Sequence, residues 1–381
     1  MTSTLGRAGR SASPRRVSIA AFGVALVTLT ACGHRAPTSA PDSPGGAGGP
    51  GAPGPAPFTV GGQLAAVAAA SATRAWAVGS TANINPLAVG WDGASWRVRL
   101  PAPGGDKLTS PGGGSFAGIA AASGSDAWAV GSGQYGLPLI EHWNGASWKA
   151  TSRGFPADAM PHAVAATSAR NAWAVGAIGS RPLIAHWDGT SWRRFPSPTP
   201  VGTSSALDSV AAVGAGDAWA VGRTYTARGP IPLIERWDGT SWREVPGPRI
   251  PGGMLAGVTA TSGRDVWAVG SSDSNRAIIE HWDGTSWTLS ASPRTGLAAG
   301  LNAVAATSAT NAWAVGWTLS PGSFRTLIER WNGARWTSVH SPAPGMLTGV
   351  AATSGTNAWA VGFWTATGIA VVERWNGAHW T

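Results

Sequence analysis

Ala312-Trp313-Ala314-Val315-Gly316 and, further along, Trp331-Asn332-Gly333-Ala334-Arg335-Trp336 are the two phrases that decide the fold. The first recurs as Ala/Val-Trp-Ala-Val-Gly with its Trp at positions 76, 128, 173, 219, 267, 313 and 359. The second recurs as Trp-Asp/Asn-Gly-x-x-Trp, starting at Trp91, Trp143, Trp187, Trp237, Trp282, Trp331 and Trp375. A period of about 46 residues marks a repeat architecture and takes precedence over local propensity. Three Trp in each unit absorb all of the 23 except Trp317 and Trp364.

Each unit reads as four short strands, a to d. In the sixth, Val304-Ala305-Ala306-Thr307 is small and β-branched, and Ser308 to Asn311 is a turn whose side-chain oxygens can accept from nearby backbone N–H groups. Strand b is Ala312 to Gly316 and strand c Leu327 to Trp331. Asn332-Gly333 signals a tight hairpin, because both residue types accept positive φ. Strand d begins near Trp336 and stops at a Pro-rich linker. Helix-forming stretches are essentially missing. Seven four-stranded antiparallel units predict an all-β, seven-bladed β-propeller over residues 58–381. An open solenoid would need atypical end caps, and here both terminal units match the internal ones. The last unit stops at Trp380-Thr381, so Phe58-Thr59-Val60 is expected to pair beside strand c of blade seven and close the ring.

The patterned Trp are expected in the core. Burying one removes roughly 150–250 Å², about 4–6 kcal/mol before entropy at about 25 cal/mol per Å². Strand c also repeats Glu141-His142, Glu235-Arg236, Glu280-His281, Glu329-Arg330 and Glu373-Arg374, with Ala185-His186 and Val89-Gly90 as exceptions. These carboxylates occupy one equivalent position in different blades and cannot converge on one substrate. They read as ion pairs or hydrogen bonds between blades.

Residues 1–31 have a different character. Arg7, Arg10, Arg15 and Arg16 precede an apolar run from Val17 to Leu29, too short to span a bilayer. Leu29-Thr30-Ala31-Cys32 follows, with the chain's only Cys. A basic start, a short apolar stretch and small residues before the cleavage point make a secretory signal, and with that Cys it resembles a bacterial lipoprotein signal. The resemblance implies acylation of Cys32 and a palmitate-bearing anchor at the extracytoplasmic face of the cell membrane. Residues 32–57 are then a lipidated Cys and a linker more than half Gly and Pro from Gly33 onward, which cannot build a core. Without those four arginines the net charge of +9 falls to +5, which argues against nucleic acid as a partner. Almost all basic residues are Arg, and with the abundance of Ala, Gly and Pro this suggests a high-GC genome of actinobacterial type.

Scaffold positions repeat, so specific recognition is sought where the copies disagree. The b-to-c loops vary in length and residue, for example Arg223 to Pro232 and Trp317 to Thr326. They carry Tyr135, Arg181, Arg223, Tyr225 and Arg228 in the first four blades. In the last three they carry Arg276, Trp317, Phe324, Arg325, Phe363 and Trp364. His162, Asp208 and Asn302 stand at strand a entrances near the channel mouth. Aromatics mixed with Arg suit protein hot spots, sugars or anionic polymers.

Residues 58–381 resemble bacterial secreted seven-bladed propellers with tryptophan-rich repeats. The Trp-Asp-Gly-x-x-Trp hairpin is superficially similar to kelch units and to the Asp-box of sialidase-like propellers, but lacks the double Gly of the one and the leading Ser-x-Asp of the other. The composition disfavours catalysis. A copper site of the galactose-oxidase type needs a Cys-Tyr crosslink, and the only Cys is in the signal region. A sialidase needs a Tyr nucleophile with a Glu partner, and the variable loops hold no Glu. No cofactor or metal is expected. The reading is a lipid-anchored, monomeric binding or scaffold module for an envelope protein, with cell-wall glycan or anionic polymer, and then a propeller enzyme, as the alternatives.

Overall fold

The computed structural model describes residues 60–99, 113–152, 154–198, 204–293, 298–320 and 323–381. Cys32, the 1–31 and 32–57 segments, and Phe58 and Thr59 lie outside them. The described chain is a seven-bladed all-β propeller, with blades at 62–98, 114–150, 159–194, 204–244, 253–289, 298–339 and 346–375. Every sheet is antiparallel and ordered a-b-c-d from the axis outward, the last having three full strands. Blade six is representative: Ala298–Ser308, Asn311–Ser320, Ser323–Trp331 and Trp336–Val339.

Strand b explains the Ala-Trp-Ala-Val-Gly phrase. It lies inside its sheet with neighbouring blades on both faces, so its run is buried throughout and does not alternate. Its Gly is required by a close approach: a Cβ on Gly222, Gly270 or Gly316 would sit 1.9–2.1 Å from a carbonyl oxygen of strand a. Opposite that Gly every strand a carries a bulge, which pushes one residue per blade toward the axis.

The Trp triplets are assembled across blades. Trp219 of blade four meets Trp282 and Trp287 of the next blade, with ring centroids 5.1 and 5.4 Å away. The same cluster closes the ring, where Trp359 of blade seven meets Trp91 and Trp96 of blade one at 4.8 and 5.1 Å. The edge-on geometry of the second contact suits the indole quadrupole. In six blades an Arg or His from strand c covers the strand b indole, as Arg236 does on Trp219 at 4.8 Å and His281 on Trp267 at 4.1 Å. That residue also bonds to the Asp or Asn ending the a-to-b turn, at 3.0 Å for Arg236 to Asp217 and 2.8 Å for His281 to Asp265. Blade one loses both partners together, with Gly90 and Arg74 in their places. Its Trp76 ring comes within 2.8 Å of where a Cβ of Gly90 would be.

At the seam Gly61 bridges Ile369, and Ala370 N–H donates to Val60 O at 3.3 Å. In blade six the incoming linker holds the matching place, where Arg325 bridges Pro344. The far end of the same edge is covered by Trp380 and Thr381, which pair with Trp375 and Arg374.

Two expectations need correction. The c-to-d hairpin has positive φ at its Gly alone. The preceding Asp or Asn keeps ordinary backbone because its side chain caps the loop: Asp92 Oδ1 accepts from Ala94 and Ser95 N–H at 3.0 and 2.8 Å. The b-to-c segments of blades four and six are not loops over most of their length. Arg223–Thr226 and Trp317–Ser320 continue strand b, because their β-branched and aromatic residues favour an extended chain.

The strand c glutamates are buried, and three accept from a serine of the linker entering their own blade: Ser197 to Glu235, Ser292 to Glu329 and Ser341 to Glu373, at 2.6, 2.8 and 2.6 Å. Burial pushes Glu235 up to about 8 and Glu141, Glu280 and Glu329 up to about 7. Carboxyls whose folded pKa is raised favour the folded state fully below the unfolded value, about 4.5, and lose that advantage as pH climbs toward 8. The melting temperature is therefore expected to fall between pH 5 and pH 8, and Glu280→Gln should flatten the fall, measured by circular dichroism. At fixed pH, Trp219→Ala should cost about 3–5 kcal/mol in denaturant unfolding, and Trp364→Ala, on the surface, less than about 0.5 kcal/mol.

Candidate functional site

The b-to-c loops and the blade-to-blade linkers share one face. Which gap a residue there looks into follows from strand alternation. In blade six Trp313, Val315 and Ile328 pack against blade seven. Two-residue steps along these unbroken strands put Trp317 and Phe324 on that same side. In blade seven Ala358, Ala360 and Val371 pack against blade six, so Trp364 looks back toward blade six. Three aromatics outside the repeat are therefore directed from two blades to the gap between blades six and seven, termed the cleft below.

Trp317 and Phe324 form an edge-to-face pair with centroids 5.5 Å apart. The Trp317 ring lies over Gly300, where a Cβ would approach it to 2.9 Å. Trp364 is 39% exposed and Phe324 36%. At the cleft edge Thr326 Oγ1 joins Ser341 Oγ and Ala343 O at 2.7 and 2.8 Å, fixing the linker between the two blades.

A second convergence lies on the axis. The seven bulge residues are Ala65, Ala117, His162, Asp208, Ala256, Asn302 and Thr348, and all of them line one central channel. Asp208, nearly buried, forms an ion pair with Arg223 of its own blade and lies 3.2 Å from His162 Nδ1 of blade three. The guanidinium of Arg223 also stands over the Tyr225 ring at 5.8 Å. His162 Nδ1 reaches Leu207 O at 3.1 Å, and Asn302 Nδ2 donates to Leu347 O at 2.7 Å.

The remaining candidates are dispersed. Tyr135 stands at the tip of blade two, 89% exposed and with positive φ. Arg181, Arg228, Arg276 and Arg325 are exposed on blades three to six, and none of the four enters an ion pair among the described residues. Phe363 is a correction. It is buried at 7%, because its place in strand b turns it toward blade one, so it supports the face without lying on it. Cys32 lies outside the described residues. Sequence reasoning missed Thr348 and the Arg223–Asp208 pair. Aligning the seven strands a on their bulge would have exposed Thr348. Arg223 stands where other blades carry Ser80, Ser132 or Ser271. Among the described residues no group of three or more His, Cys, Asp or Glu is placed to hold a metal ion.

No family model matches the chain, and no curated protein matches it. Solved structures do. YCF48 bound to D1 peptide is similar at a TM-score of 0.55 and 16% identity, over 83% of this chain and 92% of that one. SapL1 lectin in complex with alpha methyl fucoside gives 0.51 and 14%, over 75% and 98%. A polysaccharide lyase, PL25 ulvan lyase, gives 0.55 and 8%, over 85% and 96%. At these identities the likeness is one of fold.

Arg223→Ala should destabilise the propeller by on the order of 3 kcal/mol, because it strips the guanidinium from a nearly buried carboxylate. Adding Asp208→Ala should restore part of that loss in urea unfolding. A double-variant loss equal to the sum of the two single-variant losses would show that the pair is not coupled.

Proposed function

We propose that this chain is a lipid-anchored extracytoplasmic propeller that binds another envelope protein through its b-to-c face and has no catalytic role. The observation that carries the reading is the convergence of unpatterned aromatics on the gap between blades six and seven. Trp317 and Trp364, the two Trp outside the repeat, enter it from different blades together with Phe324, while the patterned Trp serve the blade interfaces. Aromatic side chains are frequent anchors of protein interfaces. YCF48 with its D1 peptide supports the idea that such a propeller can hold a polypeptide. Leu29-Thr30-Ala31-Cys32 supports the anchor, and two or more acyl chains give stable attachment.

A second reading, adhesion to an anionic cell-wall polymer, is favoured by the exposed Arg181, Arg228, Arg276 and Arg325, which lack acidic partners among the described residues. Exposed charge contacts are screened by salt, so this binding would collapse at high ionic strength while an aromatic contact persists.

Crosslinking and affinity purification from intact cells should recover a partner that is lost on combined Trp317→Ala, Phe324→Ala and Trp364→Ala substitution and retained on Arg181→Ala. Unchanged recovery with the triple variant would place the interface elsewhere. Labelled palmitate should enter the wild-type chain and not Cys32→Ser, with the variant leaving the membrane fraction.

A further inference from the structure

The axial channel departs from sevenfold symmetry in its chemistry. Its bulge ring is Ala in blades one, two and five, and polar in blades three, four, six and seven. Three of the polar side chains turn a donor into the wall, toward the strand a carbonyl of the next blade. These are His162 Nδ1 to Leu207 O at 3.1 Å, Asn302 Nδ2 to Leu347 O at 2.7 Å and Thr348 Oγ1 to Leu64 O at 2.7 Å. Asp208 is taken up by Arg223 and by His162 Nδ1.

With those donors committed, the groups left to the channel are mostly acceptors. Nδ1 is held on the wall by Leu207 O, so Nε2 is the ring nitrogen left to the channel. Asn302 retains Oδ1 and one N–H. In a seven-membered ring blade three stands opposite blades six and seven, so these polar groups face each other across the axis. The methyls of Ala65, Ala117 and Ala256 fill the wall between them. The cavity is about 200 Å³, smaller than the roughly 300 Å³ at which drug-sized sites begin.

We propose that this channel binds one neutral polyhydroxylated molecule the size of a single sugar ring. Hydroxyls, which both donate and accept, pair with His162 Nε2 and Asn302 Oδ1 from opposite ends, the Asn302 N–H returns a bond, and the C–H faces rest on the alanine methyls. A carboxylate would meet Asp208 and a row of acceptors. An ammonium would find no uncompensated negative charge, because Asp208 is already paired with Arg223. An apolar ligand would strip water from the acceptors without replacing its bonds. The site is separate from the aromatic cleft, and neither stands or falls with the other.

The test follows the seven histidines of the full chain, labelled with carbon-13 in the imidazole, by NMR. The His162 signals are identified by their loss in His162→Gln. Glucose, galactose, mannose, N-acetylglucosamine and myo-inositol are titrated, with sodium acetate and ammonium chloride as charged counterparts. At least one of the five polyols is expected to shift the His162 signals saturably at millimolar concentration, while neither salt does. Ala256→Leu, which fills the channel and leaves every polar group in place, is expected to abolish that saturation. The proposal is overturned if no polyol saturates, if acetate or ammonium saturates in their stead, or if saturation survives in a folded Ala256→Leu. If that variant does not fold, Ala117→Leu takes its place under the same criterion.

Discussion

Everything in this propeller depends on one contact made seven times: the strand b indole of one blade held between the two hairpin indoles of the next. A four-stranded blade with no helix to cover it cannot bury both of its faces alone. The three-Trp cluster makes each blade the cover of its neighbour. Because Trp359 meets Trp91 and Trp96 as Trp219 meets Trp282 and Trp287, the ring closes with the same contact that builds it. The low charge content of the chain fits this, since the repeated run of each strand b is enclosed on both sides.

The repeat also explains how much could be read from the sequence. Blade number, strand order and the role of the patterned Trp were legible because each is a property of a unit and recurs in every copy. The hairpin was read as a tight turn of positive φ, yet the Asp or Asn acts through its side chain, and dipeptide identity does not distinguish those uses. The extensions of blades four and six were read as loops because Arg223 and Trp317 break the small-residue pattern. Pattern is what marked the strand, while extended backbone tolerates both residues. Phe363 and Trp364 show what was missing at the site. Adjacent residues on one strand face different blades, so one is buried and the other exposed, and a list of unpatterned residues carries no such parity.

The strand c dipeptides show why a titratable group need not mark chemistry. Glu235, Glu329 and Glu373 are buried and have raised pKa values, features that elsewhere point to a reactive carboxyl. Here each accepts a serine hydroxyl from the linker that enters its blade. The protonated acid is the form suited to that place, because it carries no charge to desolvate. Its neighbour, Arg or His, covers the strand b indole and holds the a-to-b turn. Blade one dispenses with the cover by bringing Trp76 against Gly90. The dipeptide is thus part of the Trp contact, and its variation among blades follows the packing of that indole.

The channel belongs to the opposite case. The bulge that creates its ring lies opposite the Gly of Ala-Trp-Ala-Val-Gly in every blade, a Gly that permits the close approach there because any Cβ would collide with strand a. Every blade must therefore present one residue to the axis, whatever that residue is. Structure needs no more than a small side chain, and alanine supplies it in blades one, two and five. The polar residues of the other four go further than the scaffold requires: Asn302 and Thr348 tie blade to blade, and His162, Asp208 and Arg223 form a connected polar group running from the axis toward the exposed Tyr225. Where a scaffold fixes position and leaves identity free, identity is where a ligand can act on the sequence. That holds for the channel ring and for the cleft of Trp317, Phe324 and Trp364, and it separates both from the Trp that dominate the composition.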